Sequence, residues 1–202
     1  FDFNQLGVPQ RSLKVVGNAP RGRTGTTVRF WPDPTIFDEV EFRAQTLVGR
    51  LQMMAFLNKG LEIRLKDERD PEAETVVFRY AGGIIDFVKH INQTKESLFS
   101  KVGYYTDGDK ESEVETAFQW NTGYNADGIH SFANGTNTTE GGTHEEGFKA
   151  ALTTVVNKHA RTKNLLKEKD PNLQGEDIRE GITAIISVRL RDPQFEGQTK
   201  AK

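Results

Sequence analysis

The sequence contains no cysteine. Disulfides and thiolate zinc sites are therefore excluded, and the composition fits a reducing compartment such as the cytoplasm. Methionine and tryptophan are scarce, with two of each. No apolar run approaches the roughly 20 residues that a membrane-spanning helix requires, and no signal-peptide pattern is read. An excess of one charge is also missing: 27 Lys and Arg stand against 29 Asp and Glu, for a net charge of −2. A protein with this balance has no global field for nucleic acid, so any DNA contact would need a local basic surface. What is present is 35% hydrophobic and 28% charged residues over 202 positions. That composition fits a globular chain with one large domain or two small ones.

In the first half, residues 12–17 and 26–31 are rich in β-formers and read as short strands. Gly17 to Gly25 is a turn-rich loop between them. The run Gly22-Arg23-Thr24-Gly25-Thr26-Thr27 lacks the Gly-Lys-Ser/Thr ending of a phosphate-binding P-loop, and it leads into a strand pattern. A helix is expected over 38–58, with Asp38 as its N-cap, Ala44, Leu47, Leu51 and Met54 on one face, and Gly60 as the stop. Alternation over 61–66 and 75–80 predicts a hairpin. Ile84, Ile85, Phe87, Val88 and Ile91 predict a second helix after Gly82-Gly83. The polar stretch Asn92 to Lys95 then breaks the pattern.

The second half opens on a strand at 102–105 and a longer one at 113–120, with 129–133 as the expected antiparallel neighbour of the latter. The densest signal is Gly141-Gly142-Thr143-His144-Glu145-Glu146-Gly147-Phe148. The two glycines permit a tight turn, Thr143 has N-cap chemistry, and Glu146 stands at capping-box spacing from it. Phe148, Ala151, Leu152, Val155 and Val156 form the apolar stripe of the helix that follows. Lys149, Lys158 and Arg161 make its other side basic. After the basic stretch 161–169, a short acidic helix and a largely apolar strand at 182–190 complete an α+β order. The four histidines, His90, His130, His144 and His159, show no metal-ligand spacing, and His144 is expected to hydrogen-bond at the helix start.

Gly-Gly-Thr-His-x-x-Gly-Phe (141–148), Gln198-Thr199-Lys200 and Thr24-Gly25-Thr26-Thr27-Val28-Arg29-Phe30-Trp31-Pro32 are the three segments that carry a family signal. In their spelling, order and spacing the chain resembles the gyrase B family, the ATPase subunits of bacterial type II topoisomerases, from about Phe1 to its end. Topoisomerase IV is the near alternative, and a non-enzymatic α+β interaction domain is the rival from another class. The resemblance implies residues 1–93 as the C-terminal part of a GHKL ATP-binding domain. It implies residues 94–202 as a transducer with a left-handed βαβ crossover. It further implies Thr26 at the adenine end of the ATP site, with Val28 beside it in the pocket that coumarin-type inhibitors also use. Gln198 and Lys200 are implied at the γ-phosphate, and a homodimer, the gyrase A protein and duplex DNA as partners. Lys149 is a candidate DNA contact, since basic side chains on an exposed helix face bind phosphates without reading sequence.

Lysine offers a compact cation and glutamine an amide that can orient a phosphate oxygen or water, so the Gln198–Lys200 loop has chemistry suited to a terminal phosphate. Hydrolysis also needs a general base and Mg²⁺ ligands. By the resemblance these precede the Thr-Gly-Thr segment, so no catalytic residue and no metal ligand is assigned in this chain, which is read as an internal piece of a longer subunit. The 202-residue polypeptide on its own is expected to show no ATP turnover; phosphate release above background by the purified chain overturns that expectation.

Overall fold

The computed structural model describes residues 11–123 and 128–202. The chain divides into two compact units, Phe1–Ala44 and Gln45–Lys202. The described part of the first unit contains neither helix nor strand before Ala44. Residues 12–17 and 26–31, expected as strands, are irregular. No described strand lies beside them, and a β-segment needs a neighbour to take up its backbone N–H and C=O groups. Local turns organise the unit instead: Arg23 N–H donates to Pro20 O (3.0 Å), and Asp33 accepts from the Thr35 N–H and hydroxyl. Phe30 and Phe42 meet edge to face at 5.9 Å.

The expected helix over 38–58 is shorter, α1 Ala44–Leu57. Its N-terminal residues stay half-exposed, and Ala55, Phe56 and Leu57 carry the burial while Met54 faces out. Beyond it, β1 Glu62–Leu65 and β2 Val76–Arg79 form the expected antiparallel hairpin. Helix α2 spans Ile84–Ile91. Its start is fixed by Asp86, whose carboxylate accepts from Gly82 N–H at 2.7 Å, a negative charge where the helix exposes unpaired donors.

The remaining strands form one mixed sheet. These are β3 Gly103–Gly108, β4 Ser112–Trp120, β5 Ile129–Ala133, β6 Thr136–Asn137 and β7 Ile182–Leu190, in the order β3-β4-β7-β5-β6. Strand β5 does not pair with β4, as its sequence position suggested. It lies parallel to β7, with Phe132 opposite Ser187, while β7 itself pairs antiparallel with β4. The apolar strand takes the centre because both its faces need cover, and all of Ile182–Val188 is buried. A parallel neighbour requires a long crossover, which β6, α3 (Thr143–Thr162) and α4 (Gly175–Arg179) supply.

Each face of the sheet has its own helices. On one, Ala117, Phe132 and Ile185 share a core with Phe56 and Leu57 of α1 and Phe87 and Val88 of α2. On the other, Phe118 meets Phe148 of α3 at 6.0 Å, and Trp120 Nε1 donates to Ile178 O of α4 at 2.8 Å. The result is an α/β/α layering. Arg189 of β7 ties the first face together: it donates to Leu57 O at 2.9 Å, a carbonyl at the open end of α1, and to Glu113 at 3.2 Å.

The polar stretch that breaks the pattern at 92–95 is not a loose linker at its start. Asn92 is 5% exposed; its amide donates to Gln119 Oε1 (3.0 Å), and its oxygen accepts from Thr183 Oγ1 (2.7 Å). Gln119 in turn donates to Phe99 O at 2.8 Å. A buried network of this kind is stable only when every member is satisfied. Asn92→Ala leaves Thr183 and Gln119 short of partners and is expected to lower unfolding free energy by about 1–3 kcal/mol; a urea midpoint equal to that of the unsubstituted chain contradicts this.

Candidate functional site

The Gly-Gly-Thr-His turn leads into α3 by a route different from the one expected. Gly142, with φ 151°, is the residue before the helix, and no side chain caps it; Thr143 is already helical. A Cβ on Gly142 would stand 2.9 Å from the His144 ring, so a side chain there would have to push that ring from its place beside Thr138. Glu146 does not complete a capping box; its carboxylate pairs with Lys149 at 3.1 Å.

The face of α3 turned to the sheet is also not the apolar stripe alone. Val155 is 62% exposed, whereas Glu145 and Lys149 are turned toward the sheet beside Phe148. Lys149 therefore does not lie on an open basic side. Its Nζ donates to Glu145 Oε1 at 2.7 Å, and its side chain is 27% exposed. The reason is beneath it: Ser131, on the adjacent face of β5, is buried and reaches Glu145 Oε2 at 2.7 Å. A carboxylate with a hydroxyl and an ammonium as partners can be turned inward where an unpaired one could not.

The hydrogen bonds continue from Ser131. Its Oγ lies 2.7 Å from Thr138 Oγ1, which lies 3.1 Å from His144 Nε2. The ionised carboxylate can only accept, so it orders the chain. Ser131 O–H donates to Glu145, Thr138 O–H donates to Ser131, and His144 must then donate from Nε2. Burial lowers the His144 pKa, with the charge of Glu145 opposing it. Burial alone would raise the Glu145 carboxyl, but its hydrogen bonds to Lys149 and Ser131, with the nearby charges, hold it below the ordinary range. The same Glu145 contact raises Lys149.

The second motif lies against the first. Past β7 the chain forms a loop over 191–202, and Glu140 N–H, in the turn just before Gly141-Gly142, donates to Ala201 O at 2.9 Å. A cavity of about 340 Å³ separates the two, lined by Thr138, Gly142 and His144 on one side and Phe195, Glu196 and Lys202 on the other. Lys200 adopts φ 55°, and its ammonium sits 5.5 Å from the centre of the Phe195 ring. Gln198 and Lys200 are exposed. Thr26 and Val28 belong to the first unit, where both are exposed, Val28 at 78%.

Sequence reasoning missed Ser131 and Thr138. The pairing of Glu145 with Lys149 was missed as well, although their i, i+4 spacing could have marked it; nothing local marked the two hydroxyl residues as its inner partners.

The family model for DNA gyrase B matches residues 83–202, which hold both motifs. The chain belongs to the DNA gyrase B family. It is 46% identical to the B subunit of DNA gyrase from Mycobacterium tuberculosis (strain ATCC 25177 / H37Ra), over 100% of this chain and 34% of that protein. It is 50% identical to the B subunit of DNA gyrase from Streptomyces coelicolor, over 98% of this chain and 31% of that protein. The chain thus spans about a third of the length of these curated relatives. Among solved structures it is similar to the 43K ATPase domain of Thermus thermophilus gyrase B in complex with an aminocoumarin. That match has a TM-score of 0.78 at 40% identity, and covers 91% of this chain and 50% of the other. The topoisomerase IV ATP-binding domain of Francisella tularensis matches with the same TM-score at 25% identity, covering 96% of this chain and 52% of the other.

Because its folded pKa is lowered, neutral His144 contributes stability that is present above the unfolded value of 6.5 and lost as pH falls below it. The urea midpoint is expected to fall between about pH 7.5 and about pH 5.5, and His144→Gln to flatten part of that fall. An identical pH dependence in the variant contradicts the assignment.

Proposed function

We propose that this chain is part of the ATPase subunit of a DNA gyrase, in which ATP binding and hydrolysis drive closure of a dimer gate, DNA strand passage and negative supercoiling. That subunit works in the cytoplasm as a homodimer, together with the gyrase A protein and duplex DNA. Residues 1–93 are the C-terminal part of its ATP-binding domain, and residues 94–202 its transducer. The chain relays nucleotide state and does not itself hydrolyse ATP. Membership of the gyrase B family supports this reading. Identities of 46–50% to curated gyrase B proteins support gyrase. No helix among the described residues is long and apolar enough to cross a membrane.

The observation that carries the reading is the loop of Gln198 and Lys200 resting against the Gly-Gly-Thr-His turn at the end of the central strand. Its restraints are small. A backbone hydrogen bond is worth about 0.5–1.5 kcal/mol net, and an exposed cation–aromatic contact about 0.5–1 kcal/mol. A charge-assisted bond to a terminal phosphate exceeds either. Lys200 can therefore leave Phe195 for the γ-phosphate, with Gln198 orienting an oxygen, and return when hydrolysis removes that phosphate. Thr26 contacts the adenine end, and Val28 the apolar wall that an aminocoumarin would share. Hydrolysis in the whole protein uses Mg²⁺. No group of three His, Asp or Glu side chains suited to a metal occurs among the described residues, and no step is assigned to that ion. Lys149 is the DNA contact in this reading: although it is turned toward the sheet, its pair with exposed Glu146 is worth at most about 1 kcal/mol, so a phosphate can displace that partner while Glu145 holds the ammonium in place.

In the full-length protein, Lys200→Ala is expected to weaken binding of a non-hydrolysable ATP analogue at least about tenfold, roughly the 1.4 kcal/mol within reach of one charge-assisted contact, and to abolish analogue-dependent dimerisation. Unchanged binding and dimerisation would falsify the role of the loop.

A further inference from the structure

The turn that holds the Gln-Thr-Lys loop and the side chain of Lys149 are joined by a single run of hydrogen bonds, and Thr138 is its junction. The Thr138 carbonyl accepts from Gly141 N–H at 2.9 Å, closing the turn whose Glu140 N–H holds Ala201. The Thr138 side chain enters the buried chain through Ser131 to Glu145, and Glu145 fixes Lys149. Thr138 is 3% exposed and Ser131 2%, so water does not compete for these bonds. The carboxylate gives the run one direction, since each hydroxyl has one proton to donate. A shift of the 138–141 turn moves the Thr138 hydroxyl, and Ser131 must then satisfy Glu145 without its own donor partner.

We propose that Thr138 is a positioning residue that couples the seat of the Gln-Thr-Lys loop to Lys149 through the ordered chain Thr138, Ser131, Glu145. This rests on the reading of the loop as the nucleotide contact and of Lys149 as the DNA contact. When the loop is drawn off the turn toward nucleotide, the strain on the 138–141 turn is relayed to the carboxylate that holds Lys149. By reciprocity, a DNA phosphate that takes the place of Glu146 on Lys149 changes the pull of the ammonium on Glu145, and through Ser131 and Thr138 alters the seat of the loop. The three relay residues act through one another and through Lys149, and not as contacts to nucleotide or DNA in this reading.

Two substitutions at Thr138 separate a hydrogen-bond role from a packing role. Thr138→Val keeps the shape and removes the hydroxyl; Thr138→Ser keeps the hydroxyl and removes a methyl group. The full-length protein, reconstituted with gyrase A, is assayed for ATP hydrolysis with and without linear duplex DNA. The expected result is basal turnover within about twofold for both variants, with stimulation by DNA reduced about fivefold in Thr138→Val and retained in Thr138→Ser, a coupling of the size typical between linked sites. Combining Thr138→Val with Lys149→Ala should lose no more stimulation than the larger single loss, because both act on one chain. Stimulation that survives in Thr138→Val, or that is lost equally in Thr138→Ser, overturns the relay. Lys200→Ala in the same protein distinguishes the two levels: if it leaves analogue-dependent dimerisation intact, the loop reading fails and the relay fails with it. If dimerisation is lost but the Thr138 pair behaves alike, only the relay is overturned.

Discussion

Strand β7 must be covered on both faces, and most of the second unit follows from that constraint. Seven consecutive buried residues, Ile182 to Val188, cannot lie at a sheet edge or face solvent. Each buried isoleucine among them is worth about 1.5–3 kcal/mol relative to exposure. The strand therefore takes the centre, with β4 and β5 on either side, helices α1 and α2 over one face, and α3 and α4 over the other. The loop that follows it begins at a rigid point: Asn134 brackets Leu190 with two hydrogen bonds, accepting from its N–H and donating to its carbonyl.

That rigidity ends within a few residues. Beyond Leu190 the chain is largely exposed, its contacts are exposed ion pairs such as Arg191–Glu111, and the loop spans a cavity before Ala201 meets the turn at Glu140. A firmly anchored strand followed by a weakly held loop is a mechanical arrangement in which a ligand contact of a few kcal/mol can reposition the tip without disturbing the core. The opposite end of the same sheet is fastened differently. Asn92, Gln119, Asn121 and Thr183 are all buried, and their hydrogen bonds lock the end of α2 onto β4 and β7.

The inward face of α3 shows how polar residues acquire roles that an amphipathic pattern does not assign. The apolar stripe of α3 is centred on Phe148, Leu152 and Val155, and a helical wheel puts Glu145 and Lys149 on its flank. The structure turns that flank inward because β5 presents Ser131 where α3 begins, and a hydroxyl and an ammonium satisfy the carboxylate. Val155 is left outside because the lower turns of α3 pack through Asn157 and Ala160, with Asn157 bonded to both the N–H and the carbonyl of Leu173.

Local signals in the sequence were enough for the hairpin β1–β2, for α2, for the length of β4 and for the apolar character of β7. Each rests on a period or a run within a few residues. The three motif spellings were enough for the family, and so for the residues at which ATP and DNA chemistry is sought. Tertiary structure alone decided that β5 pairs with β7, because pairing depends on which strand needs two neighbours. It decided that residues 12–17 and 26–31 are irregular, because a β-former makes a strand only beside another strand. It also decided that Ser131, Thr138 and Glu145 meet. Their separations along the chain carry no periodic signal, and only the crossover from β5 through α3 brings one hydroxyl beneath another and both beneath a carboxylate.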